Sequence, residues 1–249
     1  MLLGIDTSGA VSVALARGAG EGDGGTGQEL QVLAVRSDER SRHHDEVLLG
    51  LVDEVLLEAG AGRGDVTGIV AGRGPGPFTG LRVGLVVART IAAALGVPLR
   101  GVCSLDALAL QAATAPGAPA GSAGEPRRIA VALDARRREV YWALYEAAAD
   151  GTITRQDGPA VDAPATVSAR LRAADALVGS GTDLYPELLP ATTRIPHVDA
   201  GALIAVAAQL EARGEDLTST EPMYLRAPDA AKPSVRKSAL GLGDRPGGR

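Results

Sequence analysis

The sequence predicts an α/β protein in two lobes, each a mixed β-sheet with helices. Three observations carry that reading. Short β-branched segments alternate with apolar or amphipathic helices over residues 1–114, a stretch of Ala, Pro and Gly follows at 115–126, and the alternation resumes from 127 to 225. The low-complexity stretch is expected to link a first lobe at 1–114 to a second at 127–225.

The first lobe opens on a strand at 1–6 ending in Asp-Thr-Ser-Gly, and a second strand at 11–16 follows so closely that the pair reads as a hairpin. A glycine-rich loop at 18–27 leads to a third strand at 30–35. Over 45–59, Leu48, Leu51, Val52, Val55 and Leu56 recur at helical spacing opposite Glu46, Asp53, Glu54 and Glu58, which predicts an amphipathic helix. A strand at 68–71 then meets Gly-Arg-Gly-Pro-Gly-Pro-Phe-Thr-Gly. Pro75 and Pro77 fix φ while Gly74 and Gly76 permit angles closed to other residues, so this turn is stiff and tight. A helix is expected over 79–95 with Thr79 as its N-cap. A strand at 99–102 and a helix at 105–113, capped by Ser104, complete a β-β-β-α-β-α-β-α order.

In the second lobe, strands are expected at 129–134, 139–145, 151–155 and 176–178, with a basic turn at 135–138 and helices at 165–173 and 201–213. Residues 226–249 carry six basic and two acidic residues among Pro and Gly and are expected to be disordered.

The helix at 79–95 stands apart because Arg82, Arg89 and Thr90 are its only polar side chains after Leu81, so apolar residues surround its axis. Gly80, Gly84, Ala88 and Ala92 recur every four residues and form one ridge where a second helix can come close. Leu81, Leu85, Val87, Ile91 and Leu95 occupy the other directions. Burying each Val, Leu or Ile contributes about 1.5 to 3 kcal/mol, so the pattern predicts a partner surface here.

The net charge of −5 and pI near 5.3 argue against a protein that holds nucleic acid over its whole surface, and 2% aromatic residues leave few platforms for bases. Cys103 is the single cysteine and excludes an internal disulfide; a small buried core residue is its expected role. The chain starts on a strand with no cleavable leader, and no run is read as reaching the ~20 apolar residues of a membrane span. The cytoplasm is the expected location.

Several motifs bear on chemistry. Asp6, Thr7 and Ser8 end a buried strand, where a carboxylate can hold a metal-bound water near a phosphate, or where short polar side chains simply bond their own turn. The glycine turn before the long helix reads as a rigid positioning turn, since it lacks the Lys and Ser or Thr of a phosphate loop. His43 and His44 are adjacent and diverge by about 100° on a helix, without the i, i+4 spacing of a metal pair; His197 is isolated. Arg136, Arg137 and Arg138 form a basic hairpin tip, solvated or in contact with phosphate or RNA.

Gly-Ile-Asp-Thr-Ser at 4–8, GRGPGPFTGLRVG at 72–84, GVCSL at 101–105, ALDARRREVYWALY at 132–145 and EPMYLR at 221–226 together resemble the TsaB (YeaZ) family, the non-catalytic partner of TsaD in making threonylcarbamoyladenosine on tRNA. The resemblance implies the actin, Hsp70 and sugar-kinase architecture. It implies a TsaD-like catalytic subunit and a TsaE-like ATPase as partners, self-association when isolated, indirect contact with tRNA, no membrane, no metal and no required cofactor. On that reading the interface is Gly80, Leu81, Gly84, Leu85, Val87, Ala88, Ile91 and Ala92 with Leu48 and Val52. Asp6, Thr7, Ser8 and Asp134 would be a degenerate nucleotide site for ATP or ADP, because Asp134 is followed by Ala135, Arg136 and Arg137 instead of glycines. TsaD carries a His-x-x-x-His metal pair on the helix corresponding to 105–113, where this chain has Asp106 and Gln111 and no histidine. The competing reading is an ATPase or phosphotransferase of the same architecture using Asp6. A peptidase, a role attached to this superfamily by analogy, finds no metal set or nucleophile in the sequence.

Overall fold

The computed structural model describes residues 1–18, 30–39, 44–116 and 126–226. The glycine-rich loop, the centre of the linker, His43 and the basic segment after Arg226 lie outside the described residues.

In the first sheet, β1 (Leu2–Asp6), β2 (Val11–Arg17) and β3 (Gln31–Asp38) run antiparallel, while β4 (Gly68–Gly72) and β5 (Leu99–Val102) run parallel to β1, in the order β3-β2-β1-β4-β5. The second sheet repeats that plan: β6 (Arg127–Asp134), β7 (Val140–Ala147) and β8 (Ile153–Asp162) form a meander and β9 (Ala176–Val178) adds parallel to β6, giving β8-β7-β6-β9. Both sheets are mixed, as the sequence predicts.

Alternation along the strands assigns their faces. Leu3, Ile5, Val11, Val13, Leu15, Ile69 and Ala71 point toward α1 (His44–Glu58) and α2 (Phe78–Leu95), whose Leu48, Val52, Val55, Leu85, Ala88 and Ala92 complete one core. Ala14, Ala16 and Val70 point the other way, toward α3 (Ser104–Thr114) and α6 (Ala200–Ala212). Outside the second sheet, α4 (Pro164–Leu171) covers Ala130, Ala132 and Trp142 with Val167 and Leu171.

The two halves exchange a helix. α3 follows the first sheet in the chain but packs on β6, β7 and β8 of the second, whereas α6 follows the second sheet and packs on β1, β2, β4 and β5 of the first. α3 and α6 also pack on each other, so one continuous core joins the sheets across residues 115–126. Both helices are apolar almost all round, which suits burial between two layers. Gly4 allows the close approach of α6: a Cβ there would lie 2.6 Å from the Ala200 carbonyl oxygen.

Two cap expectations need correction. α2 starts at Phe78, with the Pro77 carbonyl accepting from Leu81 N at 3.0 Å, so Thr79 lies exposed in the first turn and caps nothing. α3 starts at Ser104 itself, and its hydroxyl turns away from the helix toward Asp6. The sequence also gave no sign of α5 (Ser180–Leu184), a helix barely longer than one turn. At 18 residues α2 is, among the described helices, the one long and apolar enough to cross a membrane, a length the sequence reading did not credit. Its Gly and Ala side is instead a wall of the first core.

Candidate functional site

The end of β1 builds an internal lock. Asp6 is buried, and its Oδ1 accepts from Ser8 N at 2.8 Å and Ser8 Oγ at 2.6 Å while Oδ2 accepts from Ser104 Oγ at 2.6 Å. Gly74 N in turn donates to Ser104 Oγ at 3.1 Å, which fixes the glycine-proline turn to the start of α3. A Cβ on Gly72 would sit 1.8 Å from the Asp6 carboxylate, so only glycine lets β4 pass. Thr7 Oγ1 donates to the Gly80 carbonyl at 2.8 Å and ties the same link to α2. The Asp6 oxygens tie parts of the fold together and do not line the cleft beside them. Of the two roles left open for Asp-Thr-Ser, the bonded turn is the one the structure shows.

Burial pushes the Asp6 carboxyl above its ordinary 3.8, and the bonds from Ser104 and Ser8 oppose that rise only in part. A carboxyl whose pKa is raised by folding contributes stability that is complete below its unfolded value and lost as pH rises through the folded one. Asp6→Asn is therefore expected to gain stability relative to the native chain as pH climbs above 3.8. Paired denaturant titrations across that range check this, and parallel curves would refute it.

Between the sheets lies a cleft of about 550 Å³, lined among others by Ser8, Gly9, Thr79, Asp134, Ser180 and His197. Of the four residues expected to form a nucleotide site, the fold brings Ser8 and Asp134 to this cleft and leaves Asp6 and Thr7 behind it. Two backbone donors at the cleft are engaged within the chain: Ser8 N by Asp6, and Arg136 N by Asp134 Oδ1 at 2.7 Å. Glu39, Asp134 and Asp183 also line the cleft, against Arg136 as its one arginine among the lining residues. Burial lowers the pKa of His197 below 6.5, so the ring favours its neutral form. Cys103 is buried as expected, its thiol pushed up to about 12 by burial and by Asp106.

The expected partner interface also needs correction. Gly80, Leu81, Gly84, Leu85, Ala88 and Ala92 on α2, with Leu48 and Val52 on α1, are buried inside this chain; Val87 and Ile91 alone of the ten are partly open. The ridge of small residues lets α2 settle onto its own sheet, where a Cβ on Gly84 would lie 2.2 Å from Thr7 Oγ1. The outward side of α2 is mixed: Val86 is 59% exposed among exposed Arg82, Arg89 and Thr90, while Val83, Val87 and Ile91 are half-buried and pack against the first core. On α1, Leu49 is 56% and Leu57 82% exposed. α1 and α2 lie on the same face of the sheet and touch.

Residues 217–226 run as a strap beside α2. Gly101 N donates to the Leu217 carbonyl and Met223 N to that of Arg73, each at 2.8 Å, while Arg89 Nη2 donates to the Thr220 carbonyl at 2.8 Å. Arg82 Nε donates to Tyr224 Oη at 2.9 Å, and Arg226 pairs with Glu139 in the hairpin between β6 and β7. Sequence reasoning found no structural role for this segment; Arg82 and Arg89, on the outward side of α2, were the available signal.

Among known proteins, a family model described as TsaD, tRNA N6-adenosine threonylcarbamoyltransferase, matches residues 35–233. An uncharacterized protein of Mycobacterium tuberculosis is 37% identical over 202 residues, covering 81% of this chain and 84% of that protein. The tRNA threonylcarbamoyladenosine biosynthesis protein TsaB of Escherichia coli is 30% identical over 204 residues, covering 74% of this chain and 81% of TsaB. The chain belongs to the TsaB (YeaZ) family. YeaZ from Pseudomonas aeruginosa superposes with a TM-score of 0.69 at 31% identity, covering 90% of this chain and 99% of YeaZ. A second Pseudomonas aeruginosa structure, an uncharacterized protein with similarity to peptidase YeaZ, gives 0.71 at 33% identity with the same coverage. The repeated mixed sheets with α3 and α6 between them are thus the TsaB version of the actin, Hsp70 and sugar-kinase architecture.

Proposed function

We propose that this TsaB-family chain is the non-catalytic scaffold in forming threonylcarbamoyladenosine beside the tRNA anticodon, docking a TsaD-like catalytic subunit and working with a TsaE-like ATPase. The observation that carries the proposal is the exposure of large apolar side chains on two neighbouring helices, Leu49 and Leu57 on α1 and Val86 on α2. Exposed apolar patches of this kind mark partner surfaces, and two helices side by side offer ridges and grooves to two helices of another subunit. Self-association of the isolated chain uses the same face. The occupied oxygens of Asp6 support a scaffold role, since the residue best placed for phosphate chemistry holds the fold together instead.

A subunit that binds one conformation of the catalytic partner raises the population of that state, which is how a scaffold supports turnover without touching substrate. Reconstitution tests the proposal: the catalytic subunit, the ATPase and unmodified tRNA are mixed with this chain present or omitted. Modified adenosine is expected only when the chain is present. Equal modification without it would defeat the scaffold reading, and ATP turnover by the purified chain alone that Asp6→Ala removes would favour the enzyme reading.

A further inference from the structure

The hairpin between β6 and β7 holds Arg136, Arg137 and Arg138 at φ of 60°, 54° and 63°, a left-handed region disfavoured for residues with a Cβ, and all three are exposed. Backbone bonds from Ala135 N to the Glu139 carbonyl and from Glu139 N to the Arg136 carbonyl, each 3.0 Å, close the turn. Beside the turn opens a recess of about 610 Å³ lined by Phe78, Arg136, Arg137, Tyr141, Tyr224 and Arg226. Phe78 and Tyr224 stack with ring centroids 5.2 Å apart and 28° between planes, and the Arg82 guanidinium lies 3.9 Å over the Phe78 ring. Both rings are about half open, at 54% and 43%.

In a chain with a net charge of −5 this region has the opposite sign. Arg82, Arg136, Arg137 and Arg226 gather here against Asp134, 2.9 Å from Arg136, and Glu139, paired with Arg226.

We infer that this recess is a direct contact for a single-stranded segment of RNA, with phosphates on Arg136 and Arg137 and a base on the Tyr224 ring. The inference rests on the tRNA reading above and goes beyond it, since there tRNA is reached only through the catalytic subunit. Arginine guanidinium groups pair with phosphate oxygens, and an aromatic face accepts any base. The arginines are spread along the hairpin tip and the strap, which suits successive phosphates of a strand. A single cradled polyphosphate would instead need the Arg136 N–H that Asp134 already takes.

Fluorescence anisotropy of the full chain with a labelled, unmodified tRNA transcript over a series of salt concentrations tests this. The Arg136→Gln/Arg137→Gln variant is expected to bind more weakly and to lower the slope of log affinity against log salt by about 1.4, for two phosphate contacts on a single strand. Tyr224→Ala is expected to weaken binding about fivefold or more, while Tyr224→Phe, which keeps the ring, matches the native chain. Melting curves confirm that each variant is folded. A native chain that does not bind tRNA, variants equal to it in affinity and slope, or displacement of the tRNA by ADP would each overturn the inference. Copurification with the catalytic subunit is read in parallel: its failure in the native chain refutes the scaffold proposal and leaves the RNA measurement standing.

Discussion

Gly84→Leu is expected to lower the stability of the isolated chain by about 3 kcal/mol, seen as a shifted urea midpoint before any partner is added. A Cβ at this position would lie 2.2 Å from Thr7 Oγ1 and 3.0 Å from Thr7 Cγ2, and the remaining leucine carbons extend further into the same wall. Thr7 is 1% exposed and bonded to the Gly80 carbonyl, so it cannot withdraw without losing that bond and disturbing Asp6 beside it. α2 would have to lift from β1 and β4, and the core formed by Leu85, Ala88 and Ala92 would open with it. An unchanged midpoint combined with lost copurification would return the small-residue ridge to the partner and refute the packing described here.

Val86→Arg is expected to do the reverse: the isolated chain keeps its stability within about 0.5 kcal/mol, as exposed substitutions do, while copurification with the catalytic subunit is lost. Val86 is 59% exposed on the open side of α2, flanked by half-buried Val83 and Val87, so a charge there costs the monomer little. Desolvating that charge at the centre of an apolar interface would cost at least about 2 kcal/mol, roughly thirtyfold in affinity. Leu49→Asp on α1 is expected to behave alike. Retained copurification and tRNA modification in both variants would rule this face out as the docking surface.

The two substitutions separate what one helix does inward from what it does outward, and they show where sequence reasoning reached its limit. Apolar residues around the axis of 79–95 predict a helix covered on more than one side, and within this chain its own sheet covers one. They do not state which side faces its own sheet. A glycine or alanine every fourth residue allows a close approach to whatever lies opposite, and the end of the central strand carrying Thr7 satisfies that pattern as well as a second helix would. Asp6 is similar: a carboxylate after a buried strand is legible, but Ser104, which occupies its second oxygen, arrives from 98 residues away. The left-handed backbone of Arg136, Arg137 and Arg138 has no signature in side chains that ordinarily avoid it.

From sequence alone came the two mixed sheets, the order of the elements apart from α5, the stiff glycine-proline turn and the family, because periodicity, turn chemistry and motif order are local properties carried by neighbouring residues. Tertiary structure alone decided the exchange of α3 and α6 between the sheets, the inward turn of the small-residue ridge, the closure of Asp6 and the meeting of the strap with the arginine hairpin. Each of these depends on which distant surfaces come into contact, and a buried group's role is set by the partner that reaches it first.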